Sequence, residues 1–140
     1  MIQVKAINHI GIAVKSIAEH RDFYEKTLGA KFEGIEEVTD QKVKVGFFLV
    51  GAPGSEVRLE LLEPTSPDSP ISGFLEKKGE GLHHVAYTVS DIQGRIDALK
   101  AGGVRMIDEK PRGGAHHTKI AFLHPKASCG VLTELCEPAK

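Results

Sequence analysis

Apolar and polar positions follow one another in the same order twice along this chain. Residues Ile7 to Val14, I-N-H-I-G-I-A-V, alternate as a strand with Ile10, Ile12 and Val14 on one face and His9, Gly11 and Ala13 on the other. Ser16 begins S-I-A-E, a capping-box pattern with Glu19 as its acid, and Ile17, Tyr24 and Leu28 keep helical spacing up to a stop at Gly29. Strands are predicted over Lys31 to Val38, Val43 to Val50 and Glu56 to Glu63, the last two divided by the turn A-P-G-S at 52–55. The turn-rich P-T-S-P-D-S-P at 64–70 and a short helix, Ile71 to Lys78, come next. The order then restarts with Gly81 to Val89, G-L-H-H-V-A-Y-T-V. Ser90 opens S-D-I-Q as a second capping box, and Ile92, Ile96 and Leu99 form the apolar face of a helix ending at Gly102-Gly103. Strands are predicted near Arg105 to Asp108, Lys119 to His124 and Gly130 to Glu137.

Fixed offsets turn the impression of a repeat into a testable statement. Ser16 and Ser90, Gly29 and Gly103, Phe48-Leu49 and Phe122-Leu123, and Glu60 and Glu134 all lie 74 residues apart. His9 and His84 lie 75 apart, which places one extra residue in the second copy before its helix cap, around the position equivalent to Lys15. The expected fold is α+β: two β-α-β-β-β modules forming one curved, mostly antiparallel sheet. A half of about 70 residues buries too little apolar surface to stand comfortably alone, so a single domain is expected over residues 1–140. Module one runs from about 5 to 63, a linker and short helix from 64 to 80, and module two from 81 to 137.

Composition narrows the function classes. With 41% hydrophobic and 26% charged residues the chain is of ordinary globular type, and a net charge of -1 offers no field for nucleic acid or an anionic membrane. The opening M-I-Q-V-K has neither the charged nor the apolar region of a signal peptide, and no run reaches the ~20 apolar residues of a membrane span. A cytoplasmic protein is expected. Cys129 and Cys136, outside any CxxC spacing, read as free thiols.

The candidate chemistry lies in the repeat itself. His9 precedes Glu60 of R-L-E-L-L-E-P by 51 residues, and His84 precedes Glu134 of L-T-E-L-C-E-P by 50. A carboxylate in an apolar strand is costly unless partnered. If first and last strands of each copy are neighbours, two imidazoles and two carboxylates meet over one sheet. That donor set suits a divalent first-row metal with open positions, whereas all-oxygen ligation would suit Mg²⁺ or Ca²⁺. Gly11, Ala13 and Ala86 share the histidine face and leave space there; Arg58 and Leu62 flank Glu60. His20 reads as a surface residue of the first helix, and His83, on the face opposite His84, as structural. Arg112, His116, His117, Lys119, His124 and Lys126 gather around Gly113-Gly114-Ala115. That loop reads either as a phosphate-binding turn or as a solvated basic one.

These features resemble the vicinal oxygen chelate (glyoxalase/bleomycin resistance/dioxygenase) superfamily, whose paired modules form a cup around a divalent metal. Within it the chain is similar to the methylmalonyl-CoA epimerases over nearly its full length. The likeness is carried by N-H-I-G-I-A-V, F-Y-E-K-T-L-G at 23–29, L-E-L-L-E-P at 59–64, D-S-P-I-S-G-F-L-E-K-K-G-E-G-L-H-H at 68–84, G-A-H at 114–116, F-L-H-P-K at 122–126 and G-V-L-T-E-L at 130–135. It implies one divalent ion, Co, Ni, Mn or Zn, on His9, Glu60, His84 and Glu134, with Glu60 standing where some members have glutamine. It implies an isomerase interconverting (2R)- and (2S)-methylmalonyl-CoA through a metal-stabilised enolate, in propionate metabolism, and a cytoplasmic homodimer. Arg112, His116, Lys119 and Lys126 would meet the CoA thioester. Glu134 matches one catalytic base, but the second, a glutamate on the third strand of some members, falls here on Val45. Lys44, Glu36, Glu37, His116 or a water is left to fill that role. Two rivals share the cup: a glyoxalase I-like lactoylglutathione lyase using the same four ligands, and a non-catalytic small-molecule binder, which has no need of all four. A ring-opening dioxygenase fits less well, since it uses two histidines and one carboxylate on iron.

Overall fold

The computed structural model describes residues 2–139, which form two compact units: residues 9–83, and residues 2–8 together with 84–139. In chain order the main elements are β1 (Ala6–Ala13), α1 (Ile17–Asp22), β2 (Lys31–Val38), β3 (Val43–Val50), β4 (Val57–Pro64), α2 (Pro70–Lys78), β5 (Gly81–Thr88), α3 (Ile92–Ala101), β6 (Arg112–Gly113), β7 (Lys119–Leu123) and β8 (Thr133–Glu137). This is the expected mixed α+β class. In the first unit the strands run β2-β3-β4-β1, antiparallel except for the parallel β4–β1 pair. In the second they run β5-β8-β7-β6, again antiparallel except for parallel β5–β8. Among the described residues no helix is long and apolar enough to cross a membrane.

Alternation within strands sorts the side chains into two faces per unit. In the 9–83 unit, Val14, Ile17, Ala30, Phe48 and Leu61 pack as a buried cluster under α1, joined by Ile12, Tyr24, Phe32 and Leu59. Gly46 of β3 lies beneath Ile17, and a Cβ there would come within 2.9 Å of the Ile17 side chain, so only glycine lets the helix sit this close. In the other unit Val89, Ile92, Ile96, Leu99, Ala121 and Leu135 form the equivalent cluster under α3. The opposite face of each strand set carries the histidines.

Three sequence expectations change. The second helix is capped by Asp91, not Ser90: the Asp91 carboxylate accepts from the Gly94 amide at 3.3 Å, as Ser16 accepts from Glu19 in the first helix. With Asp91 as the counterpart of Ser16, the caps lie 75 apart, as the histidines do, so the extra residue is not near Lys15. It lies inside the first helix, where α1 passes into a π-helical turn at Phe23–Thr27, its Leu28 amide donating to the Phe23 carbonyl. A π-turn holds one more residue than an α-turn, which returns the offset to 74 by Gly29 and Gly103. The predicted strand at Arg105–Asp108 is reduced to a single bridge between Met106 and Leu123. Here the Asp108 side chain accepts from the Phe122 amide at 2.9 Å, taking the place of a ladder partner, and Pro111 has no amide to continue one.

A second repeated contact was not anticipated. The Ile17 amide donates to the Glu63 carboxylate at 2.8 Å, and the Ile92 amide donates to that of Glu137 at 3.0 Å. Each final strand thus places a negative charge at the N-terminus of its unit's helix, where the free amides and the helix dipole favour it. Glu63→Ala and Glu137→Ala are each expected to lower unfolding free energy by about 1–2 kcal/mol in urea titrations.

Candidate metal centre

Each histidine meets its glutamate across a parallel strand pair. In the 9–83 unit, Gly11 of β1 stands opposite Glu60 of β4, and His9 lies two residues before it. The glycine leaves room for the carboxylate to lean toward the imidazole, bringing Glu60 Oε2 to 3.3 Å from His9 Nδ1. The other unit repeats this with Ala86 of β5 opposite Glu134 of β8, and Glu134 Oε1 is 3.4 Å from His84 Nε2. All four side chains are buried, 3–7% exposed, in a chain whose other charged groups stay largely at the surface.

Burial, not ion pairing, governs the first pair. Desolvation, helped by the nearby Arg58 charge, pushes His9 down to about 4. Desolvation drives Glu60 up to about 7, with Arg58 opposing and Glu36 adding to the rise. Both groups therefore lean toward their uncharged forms. A neutral imidazole offers the lone pair that a divalent cation requires, and a cation would hold the Glu60 carboxylate ionised in its apolar setting. Each unit thus offers one buried imidazole nitrogen and one buried carboxylate, donor types that suit a first-row divalent metal.

The walls around each pair are apolar. Val45, Phe47 and Leu62 share the Glu60 face, while Ala86, Ile120, Phe122 and Cys136 surround Glu134, the Phe122 ring meeting His84 edge-on at 5.6 Å. Arg58 reaches Glu33 at 3.4 Å and is the cation beside the first pair. His83 projects away from His84 and packs edge-on against Phe74 at 4.9 Å; burial, with Lys78 nearby, lowers it to about 4, in keeping with a structural role. His20 is half-exposed and tied to Glu80 at 2.8 Å.

The basic residues are spread over successive short elements. Arg112 in β6 faces Asp108 at 3.5 Å and lies over the Phe122 ring. His116 occupies a tight turn in the left-handed region, Lys119 opens β7 opposite Glu137, and Lys126 sits in the turn after β7. The residues that sequence reading passed over are Glu63 and Glu137. Their signal was present in the spacing E-L-L-E and E-L-C-E, which puts the second glutamate on the face opposite the first.

The chain belongs to the glyoxalase/bleomycin resistance protein/dioxygenase superfamily, whose sequence model matches residues 8–122. Among its relatives, the human mitochondrial methylmalonyl-CoA epimerase is 38% identical over 130 residues, covering 92% of this chain and 72% of that protein. A Streptomyces coelicolor methylmalonyl-CoA epimerase variant, solved in complex with 2-nitronate-propionyl-CoA, superposes with a TM-score of 0.91 at 36% identity, covering 99% of this chain and all of that one. The uncharacterized Bacillus subtilis protein YqjC is 50% identical over 132 residues, 94% of this chain and 91% of its own. Within the superfamily the chain is thus a member of the methylmalonyl-CoA epimerase family, whose members are isomerases.

Glu60 makes one contribution to the pH dependence of the metal-free protein, opposed between about pH 4 and 6.5 by His9 and His83, whose lowered values favour the folded state as pH rises. Because the folded value of Glu60 lies above the ordinary 4.5, the folded chain holds this proton more tightly than the unfolded one. The resulting stabilisation is full below pH 4.5 and is lost as pH rises to about 7. Glu60→Gln removes that loss. Relative to wild type, the chelator-treated variant is expected to gain on the order of 2 kcal/mol between pH 4.5 and pH 7, read from urea midpoints.

Proposed function

We propose that the protein is a metal-dependent epimerase that interconverts (2R)- and (2S)-methylmalonyl-CoA. The observation that carries the reading is the doubled, buried His–Glu pair in a chain related to epimerases over more than nine-tenths of its length. In this reading His9, Glu60, His84 and Glu134 hold one divalent ion, Co, Ni, Mn or Zn. When bound, the ion supplies Lewis-acid stabilisation for the negative charge that develops beside the reacting carbon.

The chain's own groups then have distinct tasks. The proton to be moved lies between a thioester and a carboxylate, and its removal leaves an enolate. Glu134, lining an apolar wall with Phe122 and Ala86, is the proposed base on one side of that carbon. The buried walls keep water from the charged groups, which strengthens their electrostatic action. Arg112, His116, Lys119 and Lys126 are the proposed partners of the CoA phosphates. A homodimer acting in the cytoplasm in propionate metabolism completes the reading.

Two measurements test it. Metal-loaded protein incubated with either methylmalonyl-CoA epimer in deuterated water is expected to exchange the α-proton and form the other epimer. No exchange, together with turnover of a methylglyoxal–thiol adduct, would move the assignment to a lactoylglutathione lyase, and binding without either reaction would leave a non-catalytic binder. Separately, His84→Ala and Glu134→Ala are each expected to abolish tight metal binding in equilibrium dialysis. Stoichiometric metal in either variant would sink the four-ligand site.

A further inference from the structure

We propose that Glu36 is the second acid–base residue of the epimerisation, acting on the side of the reacting carbon that Glu134 does not serve; the inference rests on the epimerase reading above. Inverting a carbon bearing one hydrogen breaks the C–H bond on one face and forms a new one on the other. A carboxylate takes the first proton and becomes a carboxylic acid, while the electron pair passes into the enolate. A second group, protonated beforehand, gives its proton to the opposite face as the pair returns to carbon. Nothing is oxidised or reduced, and each acid–base group is reset by solvent. One residue confined to one face exchanges protons without inverting the centre.

The register of β2, β3 and β4 selects the second group. Glu36 pairs with Val45, Val45 with Leu62, and Phe47 with Glu60, all in antiparallel ladders, so Glu36 projects from the same face as Glu60. Along Gly34–Val38 of β2 and Val43–Phe47 of β3, that face carries Gly34, Glu36, Val38, Val43, Val45 and Phe47. Glu36 is the one ionisable side chain among them. Lys44 and Glu37 pair with each other, and Lys44 pairs also with Glu63, the glutamate that caps α1, so both project from the opposite face. Val43, Val45, Phe47 and Leu62 are at most 6% exposed, which gives Glu36 an apolar floor, while its own half-buried position keeps it open to proton exchange with solvent.

The test separates this inference from the reading beneath it. Co²⁺-loaded wild type, Glu36→Gln and Glu37→Gln are incubated with each epimer in deuterated water, with folding and metal content checked first by circular dichroism and metal analysis. Wild type and Glu37→Gln are expected to exchange and invert both epimers. Glu36→Gln is expected to lose inversion by about 10²-fold or more. It should still exchange the α-proton of one epimer with retention and leave the other epimer's proton in place. Exchange from both epimers, or from neither, in a folded and metal-loaded Glu36→Gln protein overturns the assignment. Failure of wild type to invert either epimer overturns the epimerase reading instead.

Discussion

The constraint on which both units depend is the burial of a carboxylate in the middle of an apolar strand. Glu60 and Glu134 each sit on the final strand of their unit beside a strand carrying a histidine. Leaving such a group without compensation costs several kcal/mol. Each strand adds a second glutamate three residues on, Glu63 and Glu137, which lands on the opposite face and caps the helix packed there. One strand thus has two electrostatic anchors, one per face. A slip of one residue would expose the apolar positions, misplace the cap and turn the ligand out of its site together.

The neighbouring position on the partner strand explains how the pair is brought into contact. Gly11 and Ala86, opposite the two carboxylates, are the smallest side chains available, and each lies two residues beyond its histidine. A larger residue would fill the space through which the carboxylate leans. The resulting contacts, 3.3 and 3.4 Å, are longer than a strong charge-assisted hydrogen bond. With Glu60 raised and His9 lowered by burial, the pair resembles a set of ligands held ready more than a stabilising salt bridge.

Much of this was legible in the sequence because period-2 alternation is rigid. Once His9, Gly11 and Ala13 were placed on one face, and His84 separated from His83, the strand pairs could bring together only the groups found there. β2 and β3 begin and end where the turn residues and alternation place them. What the sequence did not yield depends on local hydrogen bonding. Ser90 and Asp91 are equally good cap residues by type, and the choice rests on which side chain reaches the Gly94 amide. The apolar letters of Arg105 to Asp108 suit a strand, but an aspartate that satisfies the Phe122 amide with its side chain ends the ladder. The π-turn left no mark in the apolar spacing: Ile17, Tyr24 and Leu28 fit a regular helix, yet Leu28, just past the turn, is exposed.

Duplication explains the doubled His–Glu pair, but it cannot by itself explain the handling of a stereocentre. Two equivalent His–Glu pairs suit an ion, which has no handedness. A carbon whose two faces must receive different groups needs residues that are not repeated. The copies differ most where the second strand stands: β2 is a full eight-residue strand in the first unit, whereas its counterpart is one bridge at Met106 followed by the two-residue β6. By ladder register Val45, opposite Leu62, corresponds to Ile120, opposite Cys136, so this position is apolar in both copies and the divergence lies in the second strand itself. Divergence left the first copy with a strand presenting a carboxylate over an apolar floor, and the second with a two-residue strand and a turn rich in basic residues. Division of labour between proton transfer and binding of the CoA moiety is therefore expected to follow the same line: common ligands from the repeated residues, and catalytic asymmetry from the strand that only one copy kept.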